Sequence, residues 1–205
     1  YNMIRELEGK GDFKVIVKDC SLEKGLPVTA IYFIDRNSHS YLVKFGSHPS
    51  FDISLERCLT ELLQGKSIYE LSWMVQLHFS DKDIFDDTNI NNMFVNGVAL
   101  HPAELFSENF SYDFKSIKDL KGYDNKAMLS YLIGIIQSMG GNVLVRDVSF
   151  LGFPSYHIIV PFMSEIVSTD SQNVSSIAGS DRISSLLMRL DKVNDNELKE
   201  IMDSI

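Results

Sequence analysis

Three polar side chains on one face of a predicted helix could hold a phosphate and a divalent cation together. Arg57, Glu61 and Gln64 are spaced i, i+4 and i+7, so they share a helix face. Arginine presents a planar fork of donors to phosphate oxygens, and carboxylate and amide oxygens suit magnesium. The spacing also has a plainer interpretation, because Arg–Glu pairs four residues apart are common as solvated surface pairs that contribute little to stability.

The opposite face of this helix is apolar, which indicates how the polar face is oriented. Residues spaced i, i+3, i+4 and i+7 form an apolar stripe: Leu55, Cys58, Leu59 and Leu62. We predict a helix from Asp52 to Gln64 that packs on the core through this stripe, with Ser50 or Asp52 as its N-cap. The polar face then lies beside the turn that precedes the helix.

The segment before the helix predicts three strands joined by short turns. Runs rich in Val, Ile, Tyr and Phe cover Phe13–Lys18, Val28–Ile34 and Tyr41–Phe45. Their short links predict an antiparallel meander. His48 lies in the turn between the third strand and the helix, where we expect it to bond nearby backbone. The histidines match no zinc spacing.

A weakly patterned region separates this first part from a second helix and two further strands. The pattern weakens from Ser67 to Asp124, and the polar run from Phe79 to Asn92 predicts a loop with short helical pieces, either an irregular excursion or a plain surface insertion. Asp124 then caps a helix that extends to Met139 and stops at Gly140. Its apolar stripe, which we expect to be buried, consists of Met128, Leu129, Leu132, Ile135, Ile136 and Met139. Strands are predicted at 143–148 and 156–160.

The C-terminal residues predict a helical hairpin behind a polar linker. Ser164–Ser180 is rich in Ser, Thr, Gln and Asn. The first helix carries the apolar residues Ile183, Leu186, Leu187 and Leu190. Asn194 and Glu197 have the spacing of a capping box for the second. The predicted fold is therefore α+β: a mostly antiparallel sheet with helices packed on one face, plus a small C-terminal helical hairpin. We place a domain boundary after residue 166, with linker and hairpin in 167–205.

Composition narrows the classes of partner. The 205 residues include 19 basic and 28 acidic ones, for a net charge of −9. Nucleic-acid binding depends on clustered Lys and Arg, so we predict no nucleic-acid partner. No apolar run approaches the roughly 20 residues needed to span a bilayer, so we predict no membrane partner. With only Cys20 and Cys58, we expect reduced thiols in a cytoplasmic protein.

The run Lys44–Gly65 contains a His-Pro turn and the motif Leu-Glu-Arg-x-x-Thr-Glu-Leu-Leu-Gln-Gly, and it resembles the YcaO family. The resemblance extends from Phe13 to Glu165 and includes Val143–Asp147 and Tyr156–Pro161. It is closest to the branch of the family found outside azole natural-product gene clusters. On this resemblance, residues 1–166 correspond to the C-terminal half of a YcaO-type domain.

The resemblance implies a function that the spacing alone does not. YcaO proteins bind ATP and magnesium and activate a backbone amide oxygen of a peptide or protein for attack by a nucleophile. The residue matching Arg57 contacts the nucleotide phosphates, and Glu61 lies in the same charged site. We therefore assign both to cofactor binding, and Glu61 also to the metal, and assign no catalytic residue. The branch is described as an accessory factor for ribosomal protein methylthiolation, so a methylthiotransferase or a ribosomal protein is an expected partner.

The chain departs from the family pattern in two places. The Ser-x-x-x-Glu and Glu-x-x-Glu-Arg motifs that complete the family's nucleotide site have no counterpart before Phe13. The Pro-rich C-terminal end of azoline-forming members is also missing. We therefore expect this chain by itself to bind ATP weakly and to be inactive. The alternative is a non-catalytic scaffold or partner-binding module that keeps the fold.

Overall fold

The computed structural model describes residues 2–65, 67, 70–71, 74–84, 86–114, 118–161, 163–164 and 194–204, apart from the side chains of 87, 90 and 94. Its helices are α1 (Asn2–Glu8), α2 (Phe51–Leu63), α3 (Asp81–Ile84), α4 (Asp87–Asn96), α5 (Asn125–Ser138) and α6 (Asp195–Ser204), with a 3-10 helix at Ala103–Phe106. Its strands are β1 (Phe13–Asp19), β2 (Val28–Asp35), β3 (Ser40–Ser47), β4 (Val75–Gln76), β5 (Leu144–Asp147) and β6 (Tyr156–Ile159). The chain forms two compact units, Tyr1–Asp119 with Leu186–Ile205, and Leu120–Ser185.

The first unit is built on a four-stranded antiparallel sheet in the order β1-β2-β3-β4. β1 and β2 pair along their full length, and β2 and β3 pair from Val28–Ser47 to Asp35–Ser40. The Asp35 carboxylate accepts a hydrogen bond from the Asn37 N–H (2.9 Å), which stabilises the tight β2–β3 turn. Short connections of this kind produce the meander that the sequence predicts.

The central strand β2 contributes side chains to two cores, because successive residues of a strand point to opposite faces. Ile31 and Phe33 belong to the core on one face, and Ala30, Tyr32 and Ile34 belong to the core on the other. All five are at most 2% exposed. The sheet is therefore covered on both faces.

Helices α1 and α2 cover the first face. The buried residues of this core are Leu7, Ile31, Phe33, Leu42, Cys58, Leu59 and Leu62. Three of the four residues in the apolar stripe of α2 are buried as predicted, and Leu55 packs beside them. Burial of a leucine side chain contributes about 1.5–3 kcal/mol, so this stripe fixes the orientation of α2.

The second face is covered by the weakly patterned region and by α6. Its buried residues are Ala30, Tyr32, Ile34, Tyr41, Phe106 and Ile201. Phe106, in the 3-10 helix, meets the rings of Tyr32 and Tyr41 edge to face, with centroids 5.1 and 4.8 Å apart. Part of the region that carried no clear pattern is therefore core, and α6 docks on the body of the unit.

The second unit contains α5 and a two-stranded antiparallel sheet of β5 and β6. Asp124 caps α5 as predicted, since its carboxylate accepts a hydrogen bond from the Ala127 N–H at 2.7 Å. We expected the apolar stripe of α5 to be buried, and this expectation was wrong. No residue of α5 is fully buried, and Leu129 is 54% exposed. An amphipathic pattern identifies the apolar face of a helix but not how much structure covers that face.

The α+β class with an antiparallel sheet is confirmed. α2 begins at Phe51 and Ser50 is its N-cap residue, although the Ser50 hydroxyl makes no capping bond. The capping box before α6 is present, with Asn194 and Glu197 bonding each other's N–H groups. The first helix of the predicted hairpin lies outside the described residues, and the boundary after 166 stays a prediction. In the part of the chain that the structure describes, no helix is long and apolar enough to cross a membrane.

Candidate functional site

The position of the polar helix face is set by a close approach between β3 and α2. A Cβ atom on Gly46 would lie 2.1 Å from the Ser54 carbonyl oxygen and 2.9 Å from the Cys58 backbone nitrogen. Only glycine fits there. The buried Ser54 hydroxyl donates to the Gly46 carbonyl oxygen (2.8 Å) and is hydrogen-bonded to the Thr29 hydroxyl (2.9 Å). These contacts hold the start of α2 firmly against the end of β3.

This packing leaves a groove between the end of β3 and the polar face of α2. Its volume is about 400 Å³. It is lined by Lys44, Phe45, Gly46, Ser47, Arg57, Thr60 and Glu61. Arg57 and Glu61, the two residues predicted from the sequence, therefore line one cavity. The structure adds Lys44 to the lining, although its ammonium lies 4.0 Å from the position of a Cβ atom on Gly97, which does not line the groove.

The Arg57 side chain extends from α2 to the end of β3. Its Nη1 donates to the Ser47 carbonyl oxygen at 2.8 Å, so one part of the guanidinium is held by β3. Arginine has five N–H donors, and this single bond leaves most of them for another acceptor. Glu61 is instead approached by the Gln64 side-chain amide, which donates to its Oε2 at 3.0 Å.

The two predicted residues do not pair with each other. Among the described residues, no ion pair joins Arg57 to Glu61. The surface-pair interpretation requires that contact in order to contribute stability. The arrangement instead keeps a cation and a carboxylate apart on the same wall, where each can contact a bound group.

The types of residue that line the groove match those that bind a magnesium nucleotide. Arg57 supplies positive charge for phosphate oxygens. Glu61 is the one carboxylate among the described residues that line it. Within the described ranges, no three His, Cys, Asp or Glu side chains lie close enough to hold a metal ion alone. Magnesium commonly takes one or two carboxylates together with phosphates and waters, so a single carboxylate is compatible with it.

His48 and the cysteines have structural positions. The His48 Nδ1 accepts a hydrogen bond from the Ser50 N–H at 2.9 Å, as expected for a turn residue, and His48 does not line the groove. Burial raises the pKa of Cys58 to about 11, and its thiol donates to the Thr29 carbonyl oxygen at 3.1 Å. Burial also raises the pKa of Cys20 to about 11. Both thiols are therefore protonated near neutral pH, unlike the thiolates of reactive cysteines.

Comparison with known proteins gives the family. The family of YcaO cyclodehydratases, described as binding ATP and Mg²⁺, matches residues 1–164. The chain belongs to the YcaO family. It is 30% identical over 163 residues to the ribosomal protein S12 methylthiotransferase accessory factor YcaO of Escherichia coli, and 31% identical over 167 residues to an uncharacterized protein of Haemophilus influenzae.

These relatives are much longer than the chain. The alignments cover 80% and 82% of this chain but only 27% and 28% of the relatives. Among solved structures, the heterocyclase TruD matches with a TM-score of 0.50 at 17% identity, over 85% of this chain and 24% of TruD. At that identity the likeness concerns the fold, and it agrees with the α+β architecture described above.

Proposed function

We propose that this chain supplies part of the nucleotide site of an ATP- and magnesium-dependent YcaO protein that activates a backbone amide of a peptide or protein. The observation that carries the proposal is the position of Arg57 and Glu61 on one groove, inside the segment that matches the family. The partner that we favour is a ribosomal protein or its methylthiotransferase, as in the name of the relative from Escherichia coli.

The residues of the chain have distinct roles in this proposal. Arg57, positioned by its bond to the Ser47 carbonyl oxygen, would bind phosphate oxygens with its remaining donors. Glu61 would hold the magnesium ion through one carboxylate oxygen. When bound, ATP would activate the amide oxygen so that a nucleophile can attack the amide carbon.

The groove has too few protein groups to bind a whole magnesium nucleotide. One carboxylate and one guanidinium contact only part of a magnesium nucleotide, so we propose that the chain alone binds it weakly and turns nothing over. The scaffold alternative keeps the same fold without any nucleotide contact. The two differ in what Arg57 does.

The test is the substitution Arg57→Ala, measured for nucleotide binding and for stability. Loss of charge-assisted hydrogen bonds worth about 1.5–3 kcal/mol should weaken Mg-ATP binding by roughly 10- to 150-fold. Because Arg57 is exposed and lies opposite the apolar stripe, the free energy of unfolding should change by less than about 0.5 kcal/mol. Phosphorus NMR titration at millimolar Mg-ATP detects weak binding, and urea denaturation gives the stability.

The matched control is Arg36→Ala, which removes an exposed arginine that pairs with Asp12 and does not line the groove. It should leave Mg-ATP binding unchanged. In a protein of the relatives' length, Arg57→Ala should also abolish ATP hydrolysis. Equal Mg-ATP binding by the wild-type chain and by Arg57→Ala would remove Arg57 from the site and favour the scaffold.

A further inference from the structure

A second and larger cavity lies on the other face of the sheet. Its volume is about 540 Å³. The pairing register places Lys18, Ala30 and Phe45 side by side on β1, β2 and β3. Ala30 itself is fully buried, and Lys18 and Phe45 on either side of it line the cavity together with Tyr32. We call this cavity the β1–β3 cleft.

The second wall of the β1–β3 cleft is the segment Ser107–Phe114. The Lys18 ammonium donates to the Ser107 carbonyl oxygen, which anchors one end of the segment to β1. The Tyr112 hydroxyl donates to the Asp19 carbonyl oxygen (2.8 Å) and accepts from the Leu22 N–H (3.1 Å), which anchors the other. The wall is therefore fixed in place although it has no regular secondary structure.

The Tyr32 side chain lines this cleft, and no hydrogen bond joins its hydroxyl to another of the described residues. Among the described residues, the fully buried side-chain oxygen without a partner is that of Ser50, so the Tyr32 hydroxyl remains accessible to water at the cleft. Burial of the side chain raises the pKa of Tyr32 well above the usual range, so the hydroxyl is a neutral donor. A ligand with an acceptor oxygen, such as a peptide carbonyl, would replace water at this donor.

The remaining lining is apolar and acidic. Phe110 and Phe114 line the cleft and are 67% and 68% exposed, which is unusual for phenylalanine on a free surface. Two acidic residues, Glu108 and Asp113, line it against the single ammonium of Lys18, while the Asp19 carboxylate accepts hydrogen bonds from the N–H and hydroxyl groups of Ser21. Among the described residues, no ion pair neutralises Glu108 or Asp113. A complementary ligand would therefore carry both apolar and positively charged side chains.

Phe45 lines both this cleft and the nucleotide groove. The register places its side chain beside Ala30 on the cleft face of the sheet, whereas the neighbouring Lys44 pairs with Ile31 on the face that α2 covers. A peptide in the cleft would therefore be held at a site apart from the nucleotide, on the opposite face of the sheet.

We propose that the β1–β3 cleft binds a basic, apolar peptide segment of the protein substrate, with the Tyr32 hydroxyl donating to a peptide carbonyl. The cleft as a peptide site deepens the proposed function, on which it rests for the identity of the natural partner. Binding itself needs no nucleotide, so it can be measured without ATP.

The probe is a fluorescein-labelled decapeptide that contains lysine and phenylalanine separated by glycine, followed by anisotropy at 0.15 M salt. It should bind at least ten-fold more tightly than two matched peptides, one with glutamate in place of lysine and one with serine in place of phenylalanine. Tyr32→Phe should weaken binding by about 3- to 10-fold, the value of one hydrogen bond. The double variant Glu108→Gln, Asp113→Asn should reduce the preference for lysine over glutamate.

Two controls keep the test specific. Tyr156→Phe changes an exposed tyrosine of the second unit and should leave peptide binding unchanged. Arg57→Ala should also leave it unchanged, so that failure of the nucleotide proposal and failure of the peptide proposal are distinguishable. The inference would be overturned if the glutamate peptide bound equally well, if Tyr32→Phe had no effect, or if Phe114→Ser abolished self-association of the chain, since a second copy would then occupy the cleft.

Discussion

The substitution Gly46→Ala tests whether the contact between β3 and α2 holds the candidate site. The new methyl group would lie 2.1 Å from the Ser54 carbonyl oxygen, whereas ordinary van der Waals contact begins at 3.4 Å. The obstructing atom belongs to the helix backbone, so no side-chain rotation relieves the clash. The strand and the helix must separate by about 1.3 Å at this point.

The size of the effect follows from what that separation disrupts. Leu59 and Leu62 are buried where α2 meets the sheet, and each contributes about 1.5–3 kcal/mol through burial. A gap of 0.5–1 Å removes a quarter to a half of a dispersion contact. The expected loss is therefore about 1–3 kcal/mol, with the Ser54 hydrogen bond to Gly46 weakened as well. For a chain of this length, that corresponds to roughly 2–12 °C in Tm.

Urea denaturation followed by circular dichroism measures the change. The matched control is Gly134→Ala in α5, where an added Cβ meets nothing within 4 Å. Replacing an exposed glycine inside a helix should stabilise it by about 0.5–1 kcal/mol, so the same chemical change has opposite signs at the two positions. A Gly46→Ala variant within 0.5 kcal/mol of the wild type would refute the close-packing argument.

Two further predictions concern charge and capping. Burial lowers the pKa of His101 to about 4 from an ordinary value of 6.5. The unfolded state therefore binds more protons in this range, and the free energy of unfolding should decrease as the pH falls from 6.5 towards 4. Urea midpoints against pH should show this slope, which His101→Gln should reduce and the control His157→Gln should retain. Ser50→Ala should change stability by less than about 0.5 kcal/mol, because its hydroxyl makes no capping bond, whereas Asp124→Ala should cost α5 about 1 kcal/mol. Thermal melts of the two variants distinguish these outcomes, and equal losses would contradict them.

The framework of the site could be predicted from periodicity. Alternation in β2 and the i, i+3, i+4 spacing in α2 indicate which faces are buried, and both patterns depend only on local geometry. Spacing alone therefore places Arg57 and Glu61 on the same helix face. The preceding Gly46 could be interpreted as part of a turn, but its role as a spacer between strand and helix depends on the position of Ser54, which spacing does not reveal.

Features made by residues distant in sequence could not be predicted in this way. Lys44 has the alternation of an ordinary strand residue, and only the packing of α2 shows that it shares a groove with Arg57. Phe106 and Ile201 occur in segments without a clear pattern or far along the chain, yet both belong to the core that contains Tyr32. Their roles depend on tertiary contacts rather than on local propensity.

The docking of α6 separates two boundaries that are often treated as one. The family match ends at residue 164, whereas the core of the first unit includes Ile201, which is 8% exposed. Leu186–Ile205 completes the unit that Tyr1–Asp119 begins, so Leu120–Ser185 is an insertion in sequence terms. A segment cut at the limit of homology would lack a side chain that covers Phe106. For this chain, the segment that matches the family and the compact unit of the structure have different ends.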